Sequence, residues 1–124
     1  MDSLKIEATD TTPAVHLNRD TGNIEIAGIS TEEDALGFYY PVIQWLDTYV
    51  AHPCPETQVH IRLTLFNTTS SKALFEVFKR LNDLKKKGKT VRVRWYHAKD
   101  DDTLAEDIEY FNDLVSLNIQ PVAE

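Results

Sequence analysis

The chain has little cysteine and little glycine, and no long apolar run. Of its 124 residues only Cys54 is a cysteine, so no internal disulfide can form. Cys54 stands between Pro53 and Pro55 with no basic neighbour in sequence to favour the thiolate, which predicts a bystander thiol. No apolar stretch approaches the roughly 20 residues of a bilayer span. The N-terminus carries Asp2 and Lys5 without an apolar signal core. A cytoplasmic protein with no membrane partner is the expectation. The four glycines form no P-loop and no dinucleotide fingerprint, and no G-x-S-x-G is present. His16, His52, His60 and His97 show no zinc pattern. Asp100-Asp101-Asp102 lacks a cation-binding loop pattern and suits a helix start instead. Neither a catalytic residue, nor a metal, nor a cofactor is therefore expected.

Positive charge is also short. A net charge of −7 argues against nucleic acid as the main partner. Its distribution is uneven, because nine Lys or Arg between Lys72 and Arg94 face only Glu76 and Asp83. Such a basic segment could steer an acidic partner or simply form a solvated helix face. With 42 % apolar and 27 % charged residues the whole of 1–124 is expected to be a single domain with a real core.

What the chain does have is an unusual joint at Phe66-Asn67-Thr68-Thr69-Ser70-Ser71-Lys72-Ala73-Leu74. Before it, Val59, Ile61, Leu63 and Leu65 alternate with polar residues, the period of a half-buried strand. After it, Leu74, Val77, Phe78, Leu81 and Leu84 make one apolar helix stripe. One hydroxyl can cap a helix by accepting a hydrogen bond from an unpaired N–H. Four exceed that need. A helix start also suits a phosphate, through its free N–H groups and the positive end of the dipole. A capped turn and a phosphorylation switch both fit the pattern.

Elsewhere, Leu4–Ala8 predicts a short strand, and Val15, Leu17, Ile24 and Ile26 flank a turn that needs positive φ at Gly22. Ser30 with Glu33 and Thr31 with Asp34 are candidate capping pairs for a helix through Leu36, Tyr39, Ile43, Leu46 and Val50. Pro41 predicts a kink or break within it. Val91, Val93 and Trp95 mark a strand after Gly88. Leu104, Ile108, Phe111, Leu114 and Val115 mark a third helix, and Ile119–Val122 a last short strand with Pro121 at an edge. The order predicts an α/β fold: a mixed sheet of four to five strands with three helices packed on one face. His16, Glu25, His60, Arg62, Arg92 and Arg94 should occupy the other face.

Asn67-Thr68 with the following hydroxyls and Ser71-Lys72-Ala73-Leu74, placed after an alternating strand, resembles the signature of the SiaC family of bacterial regulatory phosphoproteins. Ile6-Glu7-Ala8-Thr9, Thr12-Pro13, Thr21-Gly22, Phe38-Tyr39-Tyr40-Pro41 with Trp45-Leu46, and Val93-Arg94-Trp95-Tyr96 extend the resemblance over nearly the whole chain. The resemblance implies Thr68 as phosphoacceptor, since the family's acceptor directly follows the Asn. It implies a Ser/Thr protein kinase of the histidine-kinase-like ATPase type, a PP2C-like phosphatase, and an unmodified form that binds and activates a diguanylate cyclase. Asn67, Thr69, Ser70, Ser71 and Lys72 are expected as the contact surface around Thr68. Position 69 is more often Ser in the family, so Thr69 is a second possible acceptor. The layout also resembles the STAS-type fold of anti-sigma-factor antagonists, which offers sequestration of an anti-sigma factor as an alternative output. A small-ligand binder or enzyme around His60, Arg62 and Arg94 is the third alternative. It predicts a deep pocket there, whereas an interaction protein predicts a flat or convex surface around Thr68.

Overall fold

The computed structural model describes residues 2–124. Along the chain run β1 (Leu4–Ile6), β2 (Ala14–Leu17), β3 (Asn23–Ser30), α1 (Ala35–Ala51), β4 (Glu56–Phe66), α2 (Thr68–Lys86), β5 (Thr90–His97), α3 (Asp102–Leu114) and β6 (Gln120–Ala123). All six strands join one sheet in the order β1-β2-β3-β4-β5-β6. The sheet thus has more strands than the expected four to five. Its mixed character and its three helices are as the sequence predicts. Pairing is antiparallel from β1 to β3 and parallel from β3 to β6, where each connection carries a helix. The sixth strand forms because Asn112 clamps the backbone of Ile119: its Oδ1 accepts from Ile119 N at 2.6 Å and its Nδ2 donates to Ile119 O at 2.9 Å.

Alternation decides the two faces. Val15, Leu17, Ile24, Ile26, Val59, Ile61, Leu63, Val93 and Trp95 are buried under the helices. His16, Glu25, Arg62 and Arg92 are exposed on the other side, with His60 and Arg94 half-buried. Each fully buried side chain of this kind contributes about 1.5–3 kcal/mol. Trp95 is the hub, with the rings of Phe66, Phe78 and Phe111 at 5.5, 6.3 and 5.6 Å from its own.

Two sequence expectations fail for local reasons. The β3–β4 register jumps from Gly28↔Leu63 to Ile29↔Leu65, which leaves Thr64 unpaired. This bulge reverses the alternation, so Leu65 points out and Phe66 turns into the core. The first helix begins later than Ser30 and Thr31 suggested. Asp34 caps it, its Oδ1 accepting from Gly37 N at 3.1 Å, while Ser30 ends β3. The helix then continues past Pro41 to Ala51, so no break occurs there. Among the described residues, no helix is long and apolar enough to cross a membrane.

Candidate functional site at the head of the second helix

The joint between β4 and α2 sorts its four hydroxyls into four environments. Asn67 is the N-cap: its Oδ1 accepts from Ser70 N at 2.8 Å and from Thr69 Oγ1 at 3.0 Å. Its backbone N donates to Ser30 O at 3.2 Å and its Nδ2 to Glu32 O at 3.3 Å, which fastens the joint to the end of β3. Thr69 Oγ1 also lies 3.3 Å from Glu32 O. Ser71 Oγ donates to Asn67 O at 3.3 Å. Ser70 is 0 % exposed and donates to Ser30 O at 2.7 Å. It also accepts from Ser30 Oγ at 2.8 Å, and Ser30 Oγ meets Tyr39 OH at 2.9 Å. Burial pushes the Tyr39 phenol up to about 12, against the opposing effect of the Ser30 hydrogen bond. Thr68 differs from all three. It is exposed, and among the described residues its hydroxyl makes no side-chain hydrogen bond.

The expected contact surface is therefore corrected at one position. Ser70 is sealed beneath the joint and holds β3, α1 and α2 together, so no docking protein can reach it. Asn67 and Ser71 are half-buried, and Thr68, Thr69 and Lys72 are exposed. The sequence held the signal. Ser70 is in phase with Ala73, Leu74 and Val77, all buried, and so belongs to the apolar stripe.

Thr68 borders an open groove of about 850 Å³ rather than a flat or convex surface. Phe66, Phe75 and Phe111 line it together with Leu36, Tyr110 and Leu114, which are 57 %, 62 % and 46 % exposed. Glu33, Asp34, Glu76 and Asp107 also line it, against Lys72 as the single cation among the described residues. Desolvation, with the Glu106 and Asp101 carboxylates nearby, raises the Asp107 pKa above its ordinary value. Glu76 is held below the usual range, chiefly by the hydrogen bond from Lys79, with Arg80 adding to it and partial desolvation opposing.

The basic segment points elsewhere. Arg80 pairs with Asp47 and Glu76, at 3.1 and 3.2 Å. Lys85 and Lys87 donate to Ser116 O and Val50 O. Lys85 and the C-cap Lys87 lie about 25–28 Å along the helix axis from Thr68 at 1.5 Å per residue. Apart from Lys72, the cations that could steer an acidic partner thus lie farther along α2 and on β5.

On the open sheet face, His60 Nδ1 and Tyr96 OH are 2.8 Å apart, and the Arg62 guanidinium lies 3.9 Å over the Tyr96 ring. Glu25 stands between His16 and His60 in register. Among the described residues no group of three His, Cys, Asp or Glu gathers as metal ligands. Cys54 has a basic neighbour after all: Arg19 Nη1 lies 3.7 Å from its Sγ. Folding brings in that contact from 35 residues away, beyond any local reading.

Residues 6–123 match the family model of the SiaC family regulatory phosphoproteins. This chain belongs to the SiaC family. It is 27 % identical over 113 residues to an uncharacterized protein of Pseudomonas aeruginosa (strain UCBPP-PA14), covering 91 % of this chain and 90 % of that one. Its fold is similar to the crystal structure of apo-SiaC from Pseudomonas aeruginosa, with a TM-score of 0.91, 27 % identity, and 99 % and 100 % of the two chains covered. It is also similar to SiaC as seen in the crystal structure of the diguanylate cyclase SiaD in complex with its activator SiaC from Pseudomonas aeruginosa. There the TM-score is 0.91 at 26 % identity, with 98 % and 99 % covered. The family and the fold class inferred from the sequence are both borne out.

Proposed function

We propose that this SiaC-family chain is a non-enzymatic activator that docks on a diguanylate cyclase while Thr68 is unmodified and releases it once Thr68 carries phosphate. The observation that supports this most is the sorting of the four hydroxyls: Thr68 alone is both exposed and, among the described residues, without a side-chain partner. It is the first residue of a 19-residue helix with no acidic residue in its first turn, so no carboxylate of that turn compensates the dipole's positive end.

A Ser/Thr kinase of the histidine-kinase-like ATPase type brings ATP to this edge. Thr68 Oγ1 attacks the γ-phosphorus, ADP leaves, and the hydroxyl proton passes to a base of the kinase. A PP2C-like phosphatase restores the hydroxyl by hydrolysis. The phosphate adds about −1.5 to −2 charges and three acceptor oxygens. N–H groups of the first turn face it, and Lys72, four residues on, is within reach on the same helix face. Asn67, Thr69, Ser71 and Lys72 form the surface that kinase and cyclase share. The resemblance to the SiaC of the SiaD complex supports the choice of partner.

Mass spectrometry after incubation with the cognate kinase and ATP tests the assignment. Wild-type chain gains one phosphate, Thr68→Ala gains none, and Thr69→Ala gains one. Equal phosphate in wild type and Thr68→Ala rules the assignment out.

A further inference from the structure

Two features of the molecule take no part in a switch at Thr68: the cationic end of α2 and an unfinished edge of the sheet. They meet. β6 pairs with β5 only over Arg94–His97, so beside Thr90–Val93 the outer edge of β5 carries no strand. Thr90 N donates to Pro55 O on the β4 side at 3.3 Å. Backbone groups alternate sides along a strand, so those of Val91 point to the bare edge. Among the described residues no hydrogen bond from a loop reaches them. The bare stretch walls an open hollow of about 260 Å³. Lys85, Arg92 and Arg94 line it together with Val91, Leu117 and Gln120, and among the described residues no acid does. Arg92 is shared with Glu56 at 3.1 Å, whereas Lys85 and Arg94 make no ion pair among the described residues. The Lys85 ammonium is held by Ser116 O at 2.7 Å, which leaves its charge unmatched. The two sides of the edge differ in chemistry. Val91 and Val93 face the core with Leu117, and Arg92 and Arg94 face the open side of the sheet.

We propose that this edge is a second docking site, away from Thr68, for a short extended segment of a partner protein in which acidic and apolar residues alternate. Bare edges of this kind are templates for a further strand. The segment adds beside Thr90–Val93, about 13 Å of edge at 3.3 Å per residue, and its backbone bonds that of Val91. β6 begins at Gln120 and sets the limit of its length. Side chains of neighbouring strands share faces. One set of the segment's side chains therefore packs against Val91 and Leu117, and the other meets Arg92 and Arg94. Carboxylates in that second set answer the charge that Arg94 leaves unmatched, with Lys85 as a third cation at the rim. Lys85 stands about 25 Å along α2 from Thr68, beyond a Debye length of about 8–10 Å. Phosphate at Thr68 thus leaves this site unaffected, and the site stands apart from the function proposed above.

The probe is a fluorescently labelled octapeptide of alternating Val and Glu, titrated with the full chain and followed by anisotropy at low salt. Wild type should bind it, with an affinity that falls as salt rises, and the Val91 amide should exchange more slowly in the complex. Arg92→Gln/Arg94→Gln should bind at least tenfold more weakly, and Lys85→Gln by a smaller factor. A far-ultraviolet spectrum identical to wild type is expected for both. Lys99→Gln removes a charge of the same sign elsewhere on the surface and should bind as wild type. The same peptide N-methylated throughout keeps its carboxylates but offers no N–H to an edge, so it should bind at least tenfold more weakly. Failure of wild type to bind, or equal binding by the double arginine variant, overturns the proposal. Equal binding of the methylated peptide also overturns it and makes the hollow a plain anion site. A sedimenting mass that doubles for wild type alone, and not for the double arginine variant, overturns it in favour of a second copy of the chain at this edge.

Discussion

Two helices of this molecule begin under a carboxylate, and one begins under a neutral amide. Asp34 caps α1 and Asp101 caps α3, their Oδ1 atoms accepting from Gly37 N at 3.1 Å and Leu104 N at 3.0 Å. Asp102 adds a second acid to the first turn of α3. Asn67 makes the same hydrogen bond at 2.8 Å for α2 but brings no charge. All three ends satisfy an orphan N–H, so the caps are alike as geometry. They differ as electrostatics. A helix N-terminus carries roughly half a positive charge, which the first and third helices meet with their own carboxylates and α2 does not. The difference teaches that hydrogen-bond satisfaction and charge compensation are separable. Only the end that is satisfied but uncompensated suits an anion that comes and goes.

The largest effect expected in this comparison lies beneath the surface. Ser70→Ala removes a buried hydroxyl that joins Ser30 O, Ser30 Oγ and, through Ser30, Tyr39 OH. Leaving those groups short of partners should cost about 1–3 kcal/mol in urea unfolding, whereas Thr68, two residues away, tolerates change. The same network gives an alkaline signature. Tyr39 has a folded pKa of about 12 against an ordinary 10, so its neutral form is favoured in the fold. Its contribution is fully present below pH 10 and is lost as pH rises toward 12. Burial raises Tyr49 as well, so a phenolate titration by ultraviolet absorbance should show late-ionising tyrosines whose amplitude Tyr39→Phe lowers by one. Next in size come the charged caps. Asp34→Ala and Asp101→Ala should each cost about 1 kcal/mol, with the loss shrinking as salt rises.

Most of this architecture was legible as alternation and stripe. Ile24 and Ile26, Val59 to Leu63, and Val93 with Trp95 all bury as the period of two demands. So do Leu74 to Leu84 at the helical period. Legibility ended where the period breaks or where residues distant in sequence meet. The bulge at Thr64 turns Leu65 outward, and nothing in a run of alternating residues announces an unpaired one. Leu36 and Leu114 belong to apolar stripes, yet together with Tyr110 they rim the groove, because a stripe specifies a face but not whether anything covers it. The four hydroxyls looked equivalent as a string, and their separation depends on contacts with Ser30 and Glu32, about forty residues away across the sheet. Family resemblance selected Thr68 by pattern. The coordinates add that it is the unbonded member of the set.

The comparison sharpens when one helix start is converted into the other kind. Asn67→Asp keeps the capping hydrogen bond and gives α2 the carboxylate that Asp34 and Asp101 give their helices. Stability should rise by about 0.3–1 kcal/mol at low salt, with the gain fading as salt is added. Phosphate incorporation by the cognate kinase should fall at the same time, because the site is now compensated and the product would place a dianion beside a carboxylate. A variant that is more stable and phosphorylated as fast as wild type would break the link between an uncompensated dipole and modification.

Thr68→Ala should move stability least of all. The side chain is exposed and makes no side-chain hydrogen bond among the described residues, so the unfolding midpoint should shift by no more than about 0.5 kcal/mol in free energy. Its neighbours differ. Thr69 is bonded to Asn67 Oδ1, and Ser71 to Asn67 O. A residue used for switching must be free to lose its hydroxyl character without unsettling the fold, since phosphorylation removes that character each time. If Thr68→Ala instead cost as much as Ser70→Ala, its hydroxyl would be structural. Phosphorylation would then act by loosening the head of α2 rather than by changing what can dock there. Urea denaturation of the two variants side by side separates these outcomes.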